Sequence, residues 1–205
     1  MRIFNLSIRL LHKLLVSSML LLMGCGVVPV SEESGLNDEL NQQNKISVCY
    51  NYSCNSVSQV DLAGVEWQQI NQLFQKNIHT PQAERQTIAK AVALMEQLSG
   101  KVIGTSNDKA RNAGVGERGQ MDCIDESRNT TAYIRLFEKK GWLKWHQIQG
   151  RVMRSYFFFD IHWTAVIKDK QSHQIYAVDS WFRANGKEPI ILKLKDWKAK
   201  KEKLY

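Results

Sequence analysis

No Cys-x-x-Cys pair occurs among the four cysteines of this chain, and none of its five histidines has a partner at zinc-ligand spacing. These absences argue against a thioredoxin-type redox motif and against a structural zinc site. No acidic run has the spacing of a calcium loop, so no metal is expected, and no cofactor either. Internal repeats and nucleic-acid-binding motifs are missing as well, which excludes a solenoid and leaves nucleic acid off the list of partners. Gly114-x-Gly116-x-x-Gly119 matches the dinucleotide fingerprint only formally: no strong strand precedes it and the βαβ context is absent. It reads instead as a glycine-rich approach to a turn. A long apolar run is also lacking. LLVSSMLLLMG, from Leu14 to Gly24, is too short for a comfortable membrane span.

What is there begins at the N-terminus. MRIFNLSIRLLHK carries Arg2, Arg9 and Lys13 and no acid, and the short apolar run follows it directly. That order is the n-region and h-region of an export signal. Leu22-Met23-Gly24-Cys25 resembles a bacterial lipobox. The resemblance implies cleavage after Gly24, a lipidated (palmitate-bearing) Cys25 and stable anchoring through several acyl chains. With Gly rather than Asp at position 26, it implies the periplasmic face of the outer membrane. Residues 1–24 are therefore expected to be a lipoprotein signal peptide. Residues 25–46, lipidated Cys25 plus a polar stretch of little periodicity, are expected to be a flexible tether, and 47–205 the folded domain.

In an oxidising envelope Cys49 and Cys54, five apart in CYNYSC, are close enough to bridge across a tight loop. So short a loop adds modest stability. Cys123 is left without a local partner. The net charge is +8, and several of the basic residues gather in a C-terminal run, Lys193, Lys195, Lys198, Lys200, Lys201 and Lys203, which reads as a solvated tail.

Helical periodicity covers Asp61–Gln75, through Trp67, Ile70, Leu73 and Phe74. A second helix starts at Thr80-Pro81, runs along Ile88, Ala91, Val92, Met95 and Leu98, and should stop at Gly100. A third begins near Cys123 and ends at Gly141. Beyond it the pattern turns to strands: Trp145–Val152, Ile161–Lys168, Gln174–Trp181 and Ile190–Leu194, the middle two joined as a hairpin by Lys170–His173. Helices first and strands afterwards give an α+β class, with N-terminal helices packed on an antiparallel sheet. Glu84 and Arg85 read as exposed, and His79, His146 and His173 as surface or loop residues.

Three residues on this map can work together. Cys123 opens a helix, where the dipole favours a thiolate. His162 lies on the first hairpin strand and Asp179 on the second, able to face the same side. An imidazole activates a thiol, and a carboxylate behind it fixes its tautomer. MDCIDESRNTTAYI, HWTAVI and YAVDSW resemble the nucleophile helix, His strand and Asp strand of the bacterial transglutaminase-like cysteine peptidases, of the papain-like superfamily. The resemblance covers about Gly119 to Trp181. It implies a papain-like/transglutaminase-like core, with Cys123 as nucleophile, His162 as acid and base, and Asp179 as orienter. For the oxyanion the Cys123 N–H is the general donor, with Gln120 or a tryptophan as the second. Asp122 and Asp125 would oppose a thiolate by like charge, and read better as an N-cap and a first-turn carboxylate. Trp181, two after Asp179, could wall the site but reads better as a core aromatic, and Trp163 reads as packing.

Two function classes follow. One is a membrane-anchored periplasmic cysteine hydrolase, a peptidase or amidase with transfer to an amine as a variant, acting on a protein or peptide of the cell envelope. The other is an inactive lipoprotein of the same fold that binds or scaffolds an envelope partner. The sequence leaves the oligomeric state open.

Overall fold

The computed structural model describes residues 45–76, 78–112, 116–155 and 161–201. The expected signal peptide, Cys25, most of the expected tether, Gly114 and Lys203 lie outside the described residues.

The fold opens with a hairpin that periodicity did not reveal. β1 (Lys45–Tyr50) pairs antiparallel with β2 (Ser56–Asp61), in a register that sets Ile46 against Val60 and Cys49 against Val57. Four successive β1 residues, Ile46 to Cys49, are buried, so the strand shows no alternation to read. Lys45 and Ile46 already belong to this hairpin, so ordered structure begins before the expected end of the tether at residue 46. Cys49 and Cys54 form the expected disulfide across its turn. Asn51, Tyr52, Ser53 and Cys54 all have φ between 54° and 64°. A left-handed run of non-glycine residues costs on the order of 1 kcal/mol at each position and persists only where its surroundings impose it.

Helix α1 (Gly64–Phe74) starts where the Glu66 carboxylate accepts the Ala63 N–H at 2.7 Å, and it buries Trp67 and Ile70. The expected start at Asp61 is three residues early, because Asp61 is the last residue of β2. Helix α2 (Pro81–Ile103) has the expected Thr80 cap, its side chain accepting from Ala83 N–H, with Pro81 at the first helical position. It runs through Gly100 rather than stopping there. A Cβ at Gly100 would meet the Asn185 amide at 2.9 Å, so this glycine makes room for a neighbour, and the left-handed cap is Gly104. Helix α3 (Cys123–Lys139) is capped by Asp122, whose carboxylate accepts from Ile124 N–H and Asp125 N–H, both at 2.9 Å.

β3 (His146–Arg154), β4 (His162–Asp169), β5 (Ile175–Asp179) and β6 (Ile190–Lys193) form one antiparallel sheet in sequence order. The hairpin of β4 and β5, its turn and the last strand are where the sequence placed them. α3 packs on β3, on β4 and on β1, while α2 packs on α1 and α3. The main core joins Ile88, Val92 and Met95 of α2 to Tyr133, Ile134 and Phe137 of α3, and these to Ile167, Val178, Ile46 and Val60. The architecture is mixed α and β, with helices against antiparallel sheets.

A short helix α4 (Leu194–Lys198) follows β6 and buries Trp197 completely, in a second cluster with Ala177, Phe182, Ile190 and Leu192. The C-terminal run is thus not simply a solvated tail: its lysines alternate around one anchoring tryptophan. Glu84 and His146 also depart from expectation, since neither is exposed at all. The Glu84 carboxylate accepts N–H bonds from Lys144, Trp145 and His146 and bonds His146 Nδ1 at 2.7 Å. Arg85 approaches His146 Nε2 at 3.2 Å and stacks over Tyr176. A guanidinium only donates, so Nε2 accepts and Nδ1–H points to Glu84. This buried pair pins the start of α2 to the start of β3. Among the described residues no helix is long and apolar enough to cross a membrane.

Candidate active site

Register decides which side chains can meet. Ala165 lies opposite Val178, so Asp179 falls beside Thr164, and His162 is its diagonal neighbour on the same face. His162 Nε2 and Asp179 Oδ2 are 2.7 Å apart, and both side chains are buried. Cys123 is the first residue of α3, half-buried and outside any disulfide. It lies near enough to His162 to act on the imidazole. With Nε2 facing Asp179, Nδ1 is the ring nitrogen left for sulfur. Burial, the largest single influence on His162, pulls its pKa down. The hydrogen bond to Asp179, with the influence of nearby Cys123 and the charge of Asp179, outweighs it and holds His162 up at about 9. The three residues picked from the sequence are therefore brought together, with the carboxylate on Nε2 and the sulfur near the ring.

Aromatic rings enclose that imidazole. Trp181 lies 4.7 Å from it between centroids, Phe182 5.2 Å and Trp197 5.6 Å. Trp181 therefore walls the site, contrary to the packing role expected of it. Its indole N–H donates to the Asn112 carbonyl and its own carbonyl accepts Arg111 N–H, so the 107–112 loop holds it. Gln120 in turn holds that loop: its Oε1 accepts from Lys109 N–H and Asn112 Nδ2, and its Nε2 donates to Asn107 O. Those contacts tie the Gln120 amide to the loop that holds Trp181. Trp163 is half-buried beneath the Arg151 guanidinium.

Trp197 is the residue that sequence reasoning missed. Its Nε1–H donates to Asp179 Oδ2 at 2.6 Å, the same oxygen that His162 uses. Arg154, opposite His162 on β3, lies over the Trp197 ring at 4.4 Å and donates to the Trp197 carbonyl. A tryptophan among lysines near a chain end carries no sequence signal of such a role.

Acids crowd the start of α3. Asp122 and Asp125 take the expected cap and first-turn places, and the disulfide loop satisfies them further. Ser53 N–H donates to Asp122 Oδ2 at 2.9 Å, and Cys54 N–H to Asp125 Oδ1 at 2.6 Å. Burial and the Asp122 charge nevertheless push Asp125 up to about 6. Behind them lie Glu96, Asp108 and Glu126, all buried. Burial raises Glu96 to about 8 and Asp108 to about 6, and burial with the neighbouring acids raises Glu126 well above the usual carboxylate range. With Glu96 held at about 8, the group does not present its full formal charge at neutral pH.

The sulfurs of Cys49 and Cys54 and a carboxylate oxygen of Asp125 lie within 4.8 Å of one another. Bonded to each other, those sulfurs have no thiolate to offer a metal. A cavity of about 530 Å³ opens between α2 and the β5–β6 edge, lined by Arg85, Tyr176 and Lys193 among others, and it includes none of Cys123, His162 and Asp179.

No family model, curated protein or solved structure matches the chain.

Proposed function

We propose that the chain is a cysteine hydrolase of papain-like/transglutaminase-like architecture, anchored by lipid at Cys25 to the periplasmic face of the outer membrane and acting on amide bonds of envelope proteins or peptides. The observation that carries this reading is the buried His162–Asp179 pair at 2.7 Å with Cys123 beside the imidazole. The resemblance of MDCIDESRN, HWTAVI and YAVDSW to transglutaminase-like peptidases supports it. The Cys49–Cys54 disulfide agrees with an oxidising compartment such as the envelope.

The chemistry follows from the arrangement. His162 takes the thiol proton, and the thiolate attacks the amide carbonyl. Asp179 stabilises the imidazolium and fixes its orientation. The tetrahedral oxyanion is held by the Cys123 N–H: the Asp122 side chain caps Ile124 and Asp125, and its carbonyl takes Glu126 N–H, so the capping set does not include Cys123. Gln120 braces the loop that holds Trp181, and its Nε2, which donates once to Asn107 O, is the second candidate donor. The imidazolium then protonates the amine as the C–N bond breaks, which leaves a thioester on Cys123. Water, deprotonated by His162, releases the acid and regenerates the thiol. An amine in place of water gives transfer.

The test is the rate of Cys123 alkylation by iodoacetamide against pH, in the full-length chain and in His162→Ala. Fast alkylation below the ordinary thiol range of about 8.5, slowed at least tenfold by the substitution, is the expected result. Slow alkylation indifferent to His162 would sink the hydrolase and leave an anchored binding domain.

A further inference from the structure

We infer that the disulfide-closed loop Cys49–Cys54 is a clamp that positions Cys123 for reaction, so that the nucleophile works only while that disulfide is oxidised. This rests on the hydrolase reading above. The observation is where the loop's hydrogen bonds go. On the N-terminal side of Cys123, Asn51 N–H donates to the Gln120 carbonyl, and Gly119 N–H donates to Asn51 Oδ1. Across the first turn of α3, Ser53 N–H and Oγ–H reach Asp122, and Cys54 N–H reaches Asp125. One turn further on, Asn129 bonds both the N–H and the carbonyl of Cys49, at 2.7 Å and 2.8 Å. The hairpin thus grips the nucleophile's segment before, at and after the sulfur.

The loop cannot hold that shape by preference. Its four left-handed residues include no glycine, and such a run persists only where its surroundings over-determine it. The cross-link supplies the constraint that the backbone lacks. Opening it lets Asn51–Cys54 relax, and the N–H groups of Ser53 and Cys54 turn away from Asp122 and Asp125. The helix start then loses the bonds that set Cys123 against His162. Misplacement of a reacting atom by about 1 Å costs on the order of a hundredfold in rate. Reduction, which ordinarily protects a cysteine hydrolase, would here disable it.

The test uses the full-length chain in detergent and compares wild type with Cys49→Ala/Cys54→Ala. Alkylation of Cys123 at neutral pH is followed by mass spectrometry of its peptide, and the His162 ring is titrated by NMR. The expected result is a rate at least tenfold lower, with the His162 midpoint displaced downward because its sulfur partner has moved, while the buried His146 resonance keeps its wild-type position. Asn51→Gly is the second variant. It accepts the left-handed backbone and keeps the disulfide but removes the side-chain bond to Gly119, and a fall of about threefold is expected. If the double variant does not fold, wild type with the disulfide reduced by a phosphine takes its place, its Cys123 peptide followed in the same way. Unchanged Cys123 rates in the folded variants overturn the clamp, as does a lower rate with His162 unmoved. Wild-type alkylation that ignores His162→Ala overturns the hydrolase reading instead, so the two failures are distinguishable.

Discussion

Trp197→Phe separates the hydrogen bond to Asp179 from the ring that makes it. Phenylalanine keeps an aromatic face toward Arg154 and His162 but has no N–H. Asp179 is 2% exposed, so water does not readily replace the donor. A hydrogen bond to a buried carboxylate contributes about 1.5–3 kcal/mol. A loss near 2 kcal/mol lowers the melting temperature by roughly 4–8 °C for a domain of this size. The electrostatic consequence has a definite sign. Trp197 and His162 share Asp179 Oδ2, so removing one donor leaves more negative charge for the other, and the His162 midpoint rises above its value of about 9. The orientation of the dyad loosens at the same time, so Cys123 alkylation slows by about tenfold. NMR titration of the ring, thermal denaturation and iodoacetamide kinetics on one sample give all three readings. A destabilised variant whose His162 titrates as in wild type, or lower, would refute the idea that Trp197 acts through Asp179 and reduce it to packing.

Other positions give further outcomes. Glu84→Gln should cost about 3 kcal/mol, because an amide cannot accept all the N–H groups that converge on the carboxylate; urea titration at neutral pH measures it. Burial acts to raise the Glu84 pKa, but the bonds from His146, Trp145 and Lys144 hold it below the ordinary 4.5. Its contribution is therefore present above pH 4.5 and is lost as pH falls through the lower folded value, and the variant should lack that acid limb. Glu96 behaves in the opposite sense. Raised to about 8, it makes folding less favourable as pH climbs from 4.5 through 8, so Glu96→Gln should stabilise the protein at pH 8 by on the order of 2 kcal/mol and flatten the alkaline decline. Gly119→Ala places a Cβ 2.4 Å from the Gly104 carbonyl oxygen at φ +77°. The shift this forces, next to the nucleophile's segment, should lower both the melting temperature and the Cys123 alkylation rate; an unchanged melting curve would refute the clash.

The candidate site was more legible than the scaffold around it. Cys123 opens a long helix, and His162 and Asp179 stand on two strands of a hairpin whose β-rich sequence is plain, so that strand register places the last two on one face. The same rule failed at β1, where burial on both sides erases alternation, and at Gly100, where a steric demand from Asn185 mimics a helix stop. Glu84 and His146 look like surface residues because their partners are distant in sequence: the carboxylate and the N–H groups it collects are 60 to 62 positions apart. Trp197 was hidden by its own neighbours, since a charge run dominates any local reading of the last residues.

Those failures share a cause that bears on function. Catalytic side chains advertise themselves by type and spacing, whereas the groups that hold them are ordinary residues brought in from far along the chain. Asp179 depends on a tryptophan 18 positions away, Trp181 on a loop 69 positions away, and the segment around Cys123 on a hairpin that reaches Asn129 across 80. The stretch from Gly119 to Trp181 therefore contains Cys123, His162 and Asp179 but not the distant groups that hold them. A fragment limited to it would keep Cys123 and His162 in covalent order and lose the disulfide loop, the 107–112 loop and α4 together. If positioning sets the reactivity of this thiol, substitutions in the hairpin and in α4 should move Cys123 kinetics more than equally buried substitutions in the α1–α2 contact, such as Ile70→Val, which lie on no path of hydrogen bonds to the sulfur.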